Sequence, residues 1–313
     1  MTAYRPAKKT GIRRIGADVW KNRTIYTILL PGLLWYIIFV YGPMGGLSLA
    51  FKAYSSKLGI WGSPWVGLEN FQYVFRDVNF MRSVWRTLYI NAGRIAFEFP
   101  VPILMALLLN ELRTRRYKRV VQTIMTFPHF LSWVVVACVL TNLLSLRGPV
   151  NSLLESFGMA PVHFLGTEKL FQPLLYITAN WKGAGWSAII YMAAISGIDM
   201  EQYEAAEIDG ASRFQRILFI TVPNIVPTIS VMLILAMGGL LSGGFDQIFN
   251  LNNAAVKNVA ETLDIYIYRI TFQSAPNFGF SMAVSMFRSV VNLFFLLLAD
   301  RGSKMIGGSG LFA

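Results

Sequence analysis

The chain has 313 residues, of which 55% are hydrophobic and only 14% are charged, and its formal net charge is +12. Soluble globular domains carry about 25% charged residues, so this composition argues against a water-soluble protein. The positive charge does not indicate nucleic-acid binding, because the lysines and arginines cluster beside apolar stretches. The single cysteine, Cys138, cannot form an intrachain disulfide.

The N-terminus combines a basic segment, residues 1–24, with an uncharged apolar stretch at 25–51. A secretory signal has an apolar region of only about 7–15 residues before its cleavage site. Because the stretch here is longer, it predicts a first membrane helix that is retained in the protein.

Six stretches in all are long enough to cross a bilayer, for which about 20 apolar residues in a helix suffice. Three of them lack any Asp, Glu, Lys or Arg, and the other three carry one or two. The predicted spans are residues 25–51, 87–110, 120–146, 170–198, 217–245 and 270–299. We therefore predict an all-α integral membrane protein with six transmembrane helices in one domain, residues 25–300.

The orientation of these spans follows from lysine and arginine, which are enriched in cytoplasmic flanks. With the N-terminus inside, the inner segments carry more lysine and arginine than the outer ones. Both termini are therefore predicted to be cytoplasmic, including a short tail at 301–313.

The predicted cytoplasmic loop at 199–222 departs from this charge pattern. From Asp199 to Asp209 it carries five acidic residues and no basic one. Acidic residues contribute little to topology, but a break in a local rule often marks function. A basic partner surface is expected to dock there.

The same loop has readable local structure. Met200 to Asp209 contains good helix formers without Gly or Pro, and Gln202, Ala205, Ala206 and Asp209 fall on one helix face. That face is small enough for close approach by a partner.

Two signals follow this helix. Gly210 suits a left-handed helix end. Ser212 with Gln215 reads as a capping box that opens a second short helix. Two helices are therefore expected to meet at the glycine, ahead of the fifth span.

Glu204, Ala205, Ala206, Gly210 and Pro223 resemble, in type and spacing, the EAA motif of binding-protein-dependent ABC importer permeases. In that family the loop is a coupling helix that inserts into a groove on a cytoplasmic ATPase dimer. The resemblance implies ATPase-coupling roles for Glu204, Ala205, Ala206, Asp209 and Gly210. Val222 stands where the motif usually has Leu.

Further stretches resemble the carbohydrate subfamily, whose polysaccharide and oligosaccharide permeases work beside a lipoprotein binding protein. These stretches are residues 65–71, 107–110, 128–134, 245–251 and 265–269, whereas Arg86 stands where that group has Asn. The resemblance implies the type I ABC importer fold in a bacterial plasma membrane. It also implies three partners, namely a second, homologous permease subunit, a cytoplasmic ABC ATPase dimer and an extracytoplasmic carbohydrate-binding protein.

Four charged residues lie inside predicted spans and a fifth, Asp246, directly follows one, and a charge in a span is costly unless it is paired or faces a water-filled path. Arg94 and Glu98 share a helix face and could neutralise each other. Lys182, Asp246 and Arg288 lack such local partners. They either pair across helices or line the sugar route, and lysine and arginine donors would also suit carboxylated sugars such as uronates.

The predicted function is the membrane-spanning permease subunit of an ATP-driven importer that translocates a carbohydrate, with an oligosaccharide favoured. The alternatives are a permease of the same family for another solute and an ion-driven secondary transporter. No Walker A sequence is present, so ATP hydrolysis is expected on a separate subunit, and the chain itself is not expected to be an enzyme.

Other candidate sites have structural interpretations. His129 and His163 lack partners at metal-ligand spacing, so no metal and no cofactor are expected. The glycines at 183 and 185 have the spacing of a dinucleotide loop, but they lie within a span, where small residues favour close helix packing.

Overall fold

The computed structural model describes residues 20–112, 114–273, 277–305 and 310–311. Apart from one antiparallel bridge between Lys52 and Trp65, these residues contain no β-structure. The predicted all-α class is therefore confirmed for the described part of the chain. Most of the basic segment at 1–24 and part of the tail at 301–313 lie outside the described residues.

The helices differ widely in length. They are α1 (Arg23–Tyr36), α2 (Gly59–Gly62), α3 (Glu69–Arg76), α4 (Val78–Phe97), α5 (Pro100–Asn110), α6 (Arg115–Thr126), α7 (Trp133–Leu143), α8 (Pro149–Ser156), α9 (Glu168–Ser196), α10 (Met200–Ile208), α11 (Arg213–Arg216), α12 (Val222–Gly238), α13 (Phe245–Leu251), α14 (Lys257–Ala260), α15 (Leu263–Tyr268) and α16 (Phe278–Met305). Segments of 3₁₀-helix at Gly42–Phe51 and Phe127–Phe130, and π-helical turns at Ile37–Tyr41, Ile217–Thr221 and Arg269–Gln273, extend some of them.

Four helical stretches are long and apolar enough to cross a membrane. They are Arg23–Phe51, Val78–Asn110, Arg213–Gly238 and Phe278–Met305. A fifth crossing results if Arg115–Phe130 and Trp133–Leu143 are counted as one broken span. By length and composition the described residues thus provide four or five crossings, and the predicted number of six is not confirmed.

The predicted fourth span, 170–198, coincides with α9, which is 29 residues long. Its length would suffice, but α9 is less apolar than the four stretches, because polar residues such as Asn180 and Lys182 interrupt it. Buried side chains recur along the whole helix, from Phe171 through Leu175 and Ala188 to Ile195. A helix that packs against protein along its length has less need for a lipid-compatible surface.

The stretch predicted as one span at 120–146 is bent by 98° between α6 and α7. Pro128 lies in the 3₁₀ segment, and Ser132 caps α7 by accepting a hydrogen bond from the Val135 amide at 3.3 Å. Lys182 Nζ donates to the His129 carbonyl at 2.8 Å, which satisfies a backbone group beside the break. Apolarity alone gives no sign of such a bend.

Close packing at Gly185 agrees with the structural interpretation of the paired glycines. A Cβ atom there would overlap the Met125 carbonyl on α6, whereas one at Gly183 would meet open space. Only one of the two glycines is therefore required by the packing of α9 against α6.

Two other predicted boundaries were wrong. The fifth span was expected to reach residue 245, but α12 ends at Gly238. A non-helical segment, 239–244, follows it, with positive φ at Gly243 (115°) and Gly244 (75°). The last span was expected from residue 270, whereas α16 begins at Phe278 after the π-helical turn Arg269–Gln273.

Candidate functional site

A cavity of about 380 Å³ lies between α4, α5, α9 and α12 and reaches the non-helical segment 239–244. Its polar lining comes mainly from α4 and α9 and includes Asn91, Arg94, Glu98, Ser187 and Tyr191. The remaining lining is largely apolar, which suits a chamber within a membrane domain. Arg94 and Glu98 are the two intramembrane charges that the structure brings together here.

The non-helical segment is held by side chains of neighbouring helices. Asn91 Nδ2 on α4 donates to the carbonyls of Leu240 (2.8 Å) and Ser242 (3.2 Å). Asn292 on α16 accepts from the Leu241 amide at 2.8 Å. Non-helical backbone at membrane depth is tolerated where protein surrounds it or where it lines a cavity. Residues 239–244 meet both conditions.

Arg288 supports the same segment through an acidic partner. It forms an ion pair with Asp264 on α15, and the second carboxylate oxygen of Asp264 accepts from the Gly243 amide at 3.2 Å. Of the two alternatives predicted for Arg288, the structure thus shows the cross-helix pair.

Arg94 contacts two side chains in the cavity wall. Its Nη2 donates to Gln247 Oε1 at 2.6 Å, and its Nε lies 3.7 Å from Glu98 Oε1, too far for a hydrogen bond. The guanidinium also packs against Gly244, where a Cβ atom would overlap it. The predicted pairing of Arg94 with Glu98 is therefore present but loose, and the close partner of Arg94 is Gln247.

Gln247 is a functional candidate that the sequence interpretation missed. Its side chain is buried, and its Nε2 donates to the Leu175 carbonyl (2.8 Å) and to Thr178 Oγ1 (2.9 Å) on α9. The residue thereby connects Arg94 to the central helix. A buried polar residue beside an intramembrane charge is the signal that could have found it.

Lys182 and Asp246 lie outside this cavity. Lys182 donates to the His129 carbonyl and sits 5.5 Å from the centre of the Trp133 ring. Asp246 is exposed in the first turn of α13. Of the five predicted path residues, only Arg94 and Glu98 therefore line the cavity.

The acidic loop has the local structure that its sequence predicts. Helix α10 covers Met200–Ile208, and Asp199 caps it by accepting from the Glu201 amide at 3.0 Å. Gly210 has φ of 77°, which is the left-handed conformation. Ser212 and Gln215 form both hydrogen bonds of a capping box at the start of α11.

Three side-chain contacts connect α10 to the entry of α12. The hydroxyls of Tyr203 and Thr221 lie 2.8 Å apart, and Arg216 pairs with Glu207 at 2.9 Å. Asn224 donates to Gln202 at 3.0 Å. Gln202 thus contacts its own chain, so the small face predicted from Gln202 to Asp209 is only partly free. Movement of α10 would be transmitted directly to α12.

The opposite side of α10 is open. Glu204, Ala205, Asp209 and Gly210 are exposed, and Ala206 is half-buried. Two apolar side chains that sequence reasoning did not single out stand beside them, Ile208 at 86% exposure and Phe214 at 72%. Exposed apolar side chains among acidic ones are typical of a surface that binds a partner protein.

Comparison with known proteins shows which protein family has this sequence and fold. A sequence profile of the binding-protein-dependent transport system inner membrane component matches residues 98–303. The chain belongs to this family. The family description gives the chain its class, an inner-membrane component of a transport system, and agrees with its apolar helices.

Relatives within the family match nearly the whole chain. The polygalacturonan/rhamnogalacturonan transport system permease protein YteP of Bacillus subtilis (strain 168) is 40% identical over 306 residues, which cover 97% of this chain and 95% of YteP. Protein LplB of the same organism is 39% identical over 297 residues, covering 95% and 93%. The similarity to permease proteins therefore covers nearly the whole chain and is not limited to residues 98–303.

A solved structure shares both sequence and fold. The crystal structure of a bacterial ABC transporter involved in the import of the acidic polysaccharide alginate matches with a TM-score of 0.86 and 38% identity, covering 94% of this chain and 99% of that one. A second structure of a bacterial alginate ABC transporter, in complex with alginate pentasaccharide-bound periplasmic protein, matches equally well at 37% identity. The fold of this chain is that of an ABC importer permease.

Proposed function

We propose that the chain is one of two membrane-spanning subunits of an ATP-driven importer that takes an oligosaccharide from an extracytoplasmic binding protein. The observation that carries this proposal is the nearly full-length match to a polysaccharide transport permease, at 40% identity. The chain is a permease rather than an enzyme, and ATP hydrolysis is assigned to a separate ABC ATPase dimer.

The proposed topology has six membrane crossings in residues 25–300, with residues 1–24 and 301–313 in the cytoplasm. Counting the bent pair α6–α7 as one crossing and adding α9 to the four apolar stretches gives this number. At 1.5 Å per residue, α9 is about 43 Å long, which exceeds the roughly 30 Å hydrocarbon core. The excess of lysine and arginine on the inner segments supports cytoplasmic termini.

The exposed surface of α1 supports the proposal that the chain pairs with a second, homologous permease subunit. Ile28, Leu33 and Trp35 are each more than half exposed, and none of the residues of α1 is buried. A helix that packs so little within its own chain contributes its apolar surface to lipid or to a neighbouring subunit.

The translocation path is proposed to pass through the cavity at Arg94 and Glu98. The cavity contains polar groups from α4 and α9, and the non-helical segment 239–244 forms part of its wall. Charged side chains inside a membrane mark substrate routes when they face a cavity. Lys182 and Arg288 are assigned supporting roles outside it, and Asp246 is exposed outside it.

The coupling surface is proposed to consist of Glu204, Ala205, Ala206, Asp209 and Gly210, extended by Ile208 and Phe214. Acidic groups here would meet basic groups of the ATPase, while the small residues allow close approach. The contacts of Tyr203, Gln202 and Glu207 with the entry of α12 provide the route by which ATPase closure reaches the cavity wall.

The proposal is tested by expressing the chain together with a homologous permease and an ABC ATPase from the same organism. A tag on this chain should retain both partners in detergent, and the complex should hydrolyse ATP faster when glycan-loaded binding protein is added. Retention of neither partner, or hydrolysis that no loaded binding protein stimulates, would contradict it.

A further inference from the structure

Two adjoining recesses at the predicted outer ends of the helices form a single basic surface. The larger, about 270 Å³, lies between α4 and α14–α15, and the smaller, about 200 Å³, adjoins it and shares Lys257, Glu261 and Arg269. Arg82 and Arg86 on α4 complete the cationic lining. We call these five residues and the space between them the basic recess.

The charges of the basic recess are unbalanced. Glu261 is the one acidic residue that lines it in the described part of the chain. Glu261 binds Arg269 at 2.5 Å and lies 3.8 Å from Arg86. Arg82 and Lys257 are exposed and form no ion pair among the described residues. One carboxylate therefore faces four cations.

Asp77, which lies near the same end of α4, does not correct this imbalance. Its carboxylate accepts a hydrogen bond from the Tyr266 hydroxyl at 2.7 Å. Burial raises the pKa of Tyr266, and the hydrogen bond to Asp77 raises it further, so the hydroxyl keeps its proton and remains a donor. The Asp77 carboxylate is therefore already hydrogen-bonded, and Asp77 does not line the recess.

Amide side chains surround the cations. Asn79 and Asn258 line the larger recess, and their side chains make no hydrogen bond within the described residues. Asn252 lines the smaller one, and its Oδ1 is buried without a partner. Amides donate and accept hydrogen bonds, as sugar hydroxyls do, and a buried unpaired oxygen is costly until a ligand satisfies it.

Helix α4 connects the basic recess to the membrane cavity. Arg82 and Arg86 lie in the recess, and Arg94 lies in the cavity two turns further on. The eight residues from Arg86 to Arg94 correspond to about 12 Å along the helix axis. Arg94 is the next charged residue along α4 after Arg86.

We infer that the basic recess binds the carboxylate of a uronate unit in an acidic oligosaccharide before the sugar enters the cavity at Arg94. Arginine binds carboxylates through directed, charge-assisted hydrogen bonds, and the nearby amides match the hydroxyls of the sugar ring. This inference rests on the proposed import function and adds the chemical class of the substrate. Small concave volumes with convergent polar groups fit a sugar better than the broad surface of a docked protein.

The experiment uses the assembled importer and two probes, trigalacturonate and its methyl ester, which has the same length but lacks the charges. Equilibrium dialysis at low salt, without binding protein, measures their affinity for the wild type and for the double variant Arg82→Gln/Lys257→Gln. These two cations are unpaired within the described residues, so their loss should leave the fold intact. Lys57→Gln, at an exposed lysine outside the recess, is the matched control.

The expected result is that the wild type prefers trigalacturonate to its ester and that added salt weakens this binding. The double variant should bind trigalacturonate about tenfold or more weakly, which corresponds to about 1.4 kcal/mol, while the control should match the wild type. The two single variants should each show part of the loss. Equal affinity of the wild type and the double variant, or of acid and ester, would overturn the inference.

A parallel ATPase assay with glycan-loaded binding protein separates the remaining outcomes. If the double variant loses stimulation by acidic and neutral glycans alike but still binds trigalacturonate normally, the recess docks the binding protein and the inference is wrong. If no glycan stimulates even the wild type, the import proposal fails, and the dialysis result still decides whether the recess binds uronate.

Discussion

Gln247 shows how a neutral side chain can organise charge inside a membrane domain. It accepts from Arg94 at 2.6 Å and donates to Leu175 and Thr178 on the central helix. Arg94 therefore lies beside the cavity without a close carboxylate, since Glu98 Oε1 is 3.7 Å from its Nε. A guanidinium paired this loosely retains hydrogen-bonding capacity for a passing anion or hydroxyl.

The first prediction concerns Gln247→Leu. The substitution removes the three hydrogen bonds and leaves the Arg94 guanidinium and the Thr178 hydroxyl short of partners, so the complex should lose about 1.5–3 kcal/mol of stability. Thermal unfolding of the purified complex in detergent measures the loss. Asp246→Asn, at the exposed neighbour, is the control and should change stability by less than about 0.5 kcal/mol. A Gln247→Leu complex that unfolds at the wild-type temperature would contradict the assigned role.

At the scale of elements, α10 and α11 form a rigid corner rather than a solvated acidic loop. Capping bonds at Asp199 and Ser212 fix both helix starts, and Gly210 sets the turn between them. The contacts of Tyr203 and Glu207 fix this corner to the entry of α12. A push on the exposed side of α10 is therefore expected to move α12, which lines the cavity.

The second prediction is that Glu204→Lys, Ala206→Trp and Gly210→Ala each lower glycan-stimulated ATPase activity and uptake at normal membrane abundance. Charge reversal repels a basic partner, the indole adds bulk, and a side chain at the left-handed position costs about 1–2 kcal/mol and tilts α11. The assay compares reconstituted complexes. The control is Glu155→Lys, which makes the same charge reversal at an exposed residue of α8 and should leave coupling unchanged. Wild-type coupling in all three variants would defeat the proposed role of α10.

The third prediction extends the coupling surface to Ile208, which is 86% exposed. Ile208→Asp removes an apolar contact and adds charge, so the ATPase should be retained less well by the tagged permease. Retention during size-exclusion chromatography measures this effect. Phe157→Asp provides a comparison, because Phe157 is also exposed but follows α8, outside the coupling surface and the predicted spans. Equal retention of the ATPase by wild type and Ile208→Asp would remove Ile208 from the surface.

The sequence predicted local structure best where short-range chemistry determines it. The end of α10, the left-handed Gly210 and the Ser212–Gln215 capping box all depend on neighbouring residues, and each is present. Apolar stretches located four of the predicted spans, and a fifth if the bent pair α6–α7 counts as one span. The resemblance of the loop to the EAA motif pointed to the family. Side chains that satisfy each other across helices were not predictable in this way. Gln247 and Asp264 gain their roles from residues distant in the chain, and the α6–α7 bend depends in part on Lys182.

At the scale of the whole molecule, the chain by itself leaves long apolar helix surfaces uncovered. Helix α1 has no buried residue, and apolar side chains are also exposed on α16, among them Val290 and Leu293. The cavity, the basic recess and the α10–α11 corner lie along one connected set of helices, with α4 joining the first two and α12 joining the cavity to the corner. Import by such a chain requires a partner permease, an ATPase and a source of loaded binding protein.

The central claim is tested most directly by uptake of a labelled oligosaccharide into proteoliposomes that contain the complete complex, with binding protein outside and ATP inside. We predict accumulation that requires both ATP and the binding protein and that is unaffected when ion gradients are collapsed. Accumulation that persists without ATP and follows an imposed proton or sodium gradient would identify a secondary transporter and contradict the account.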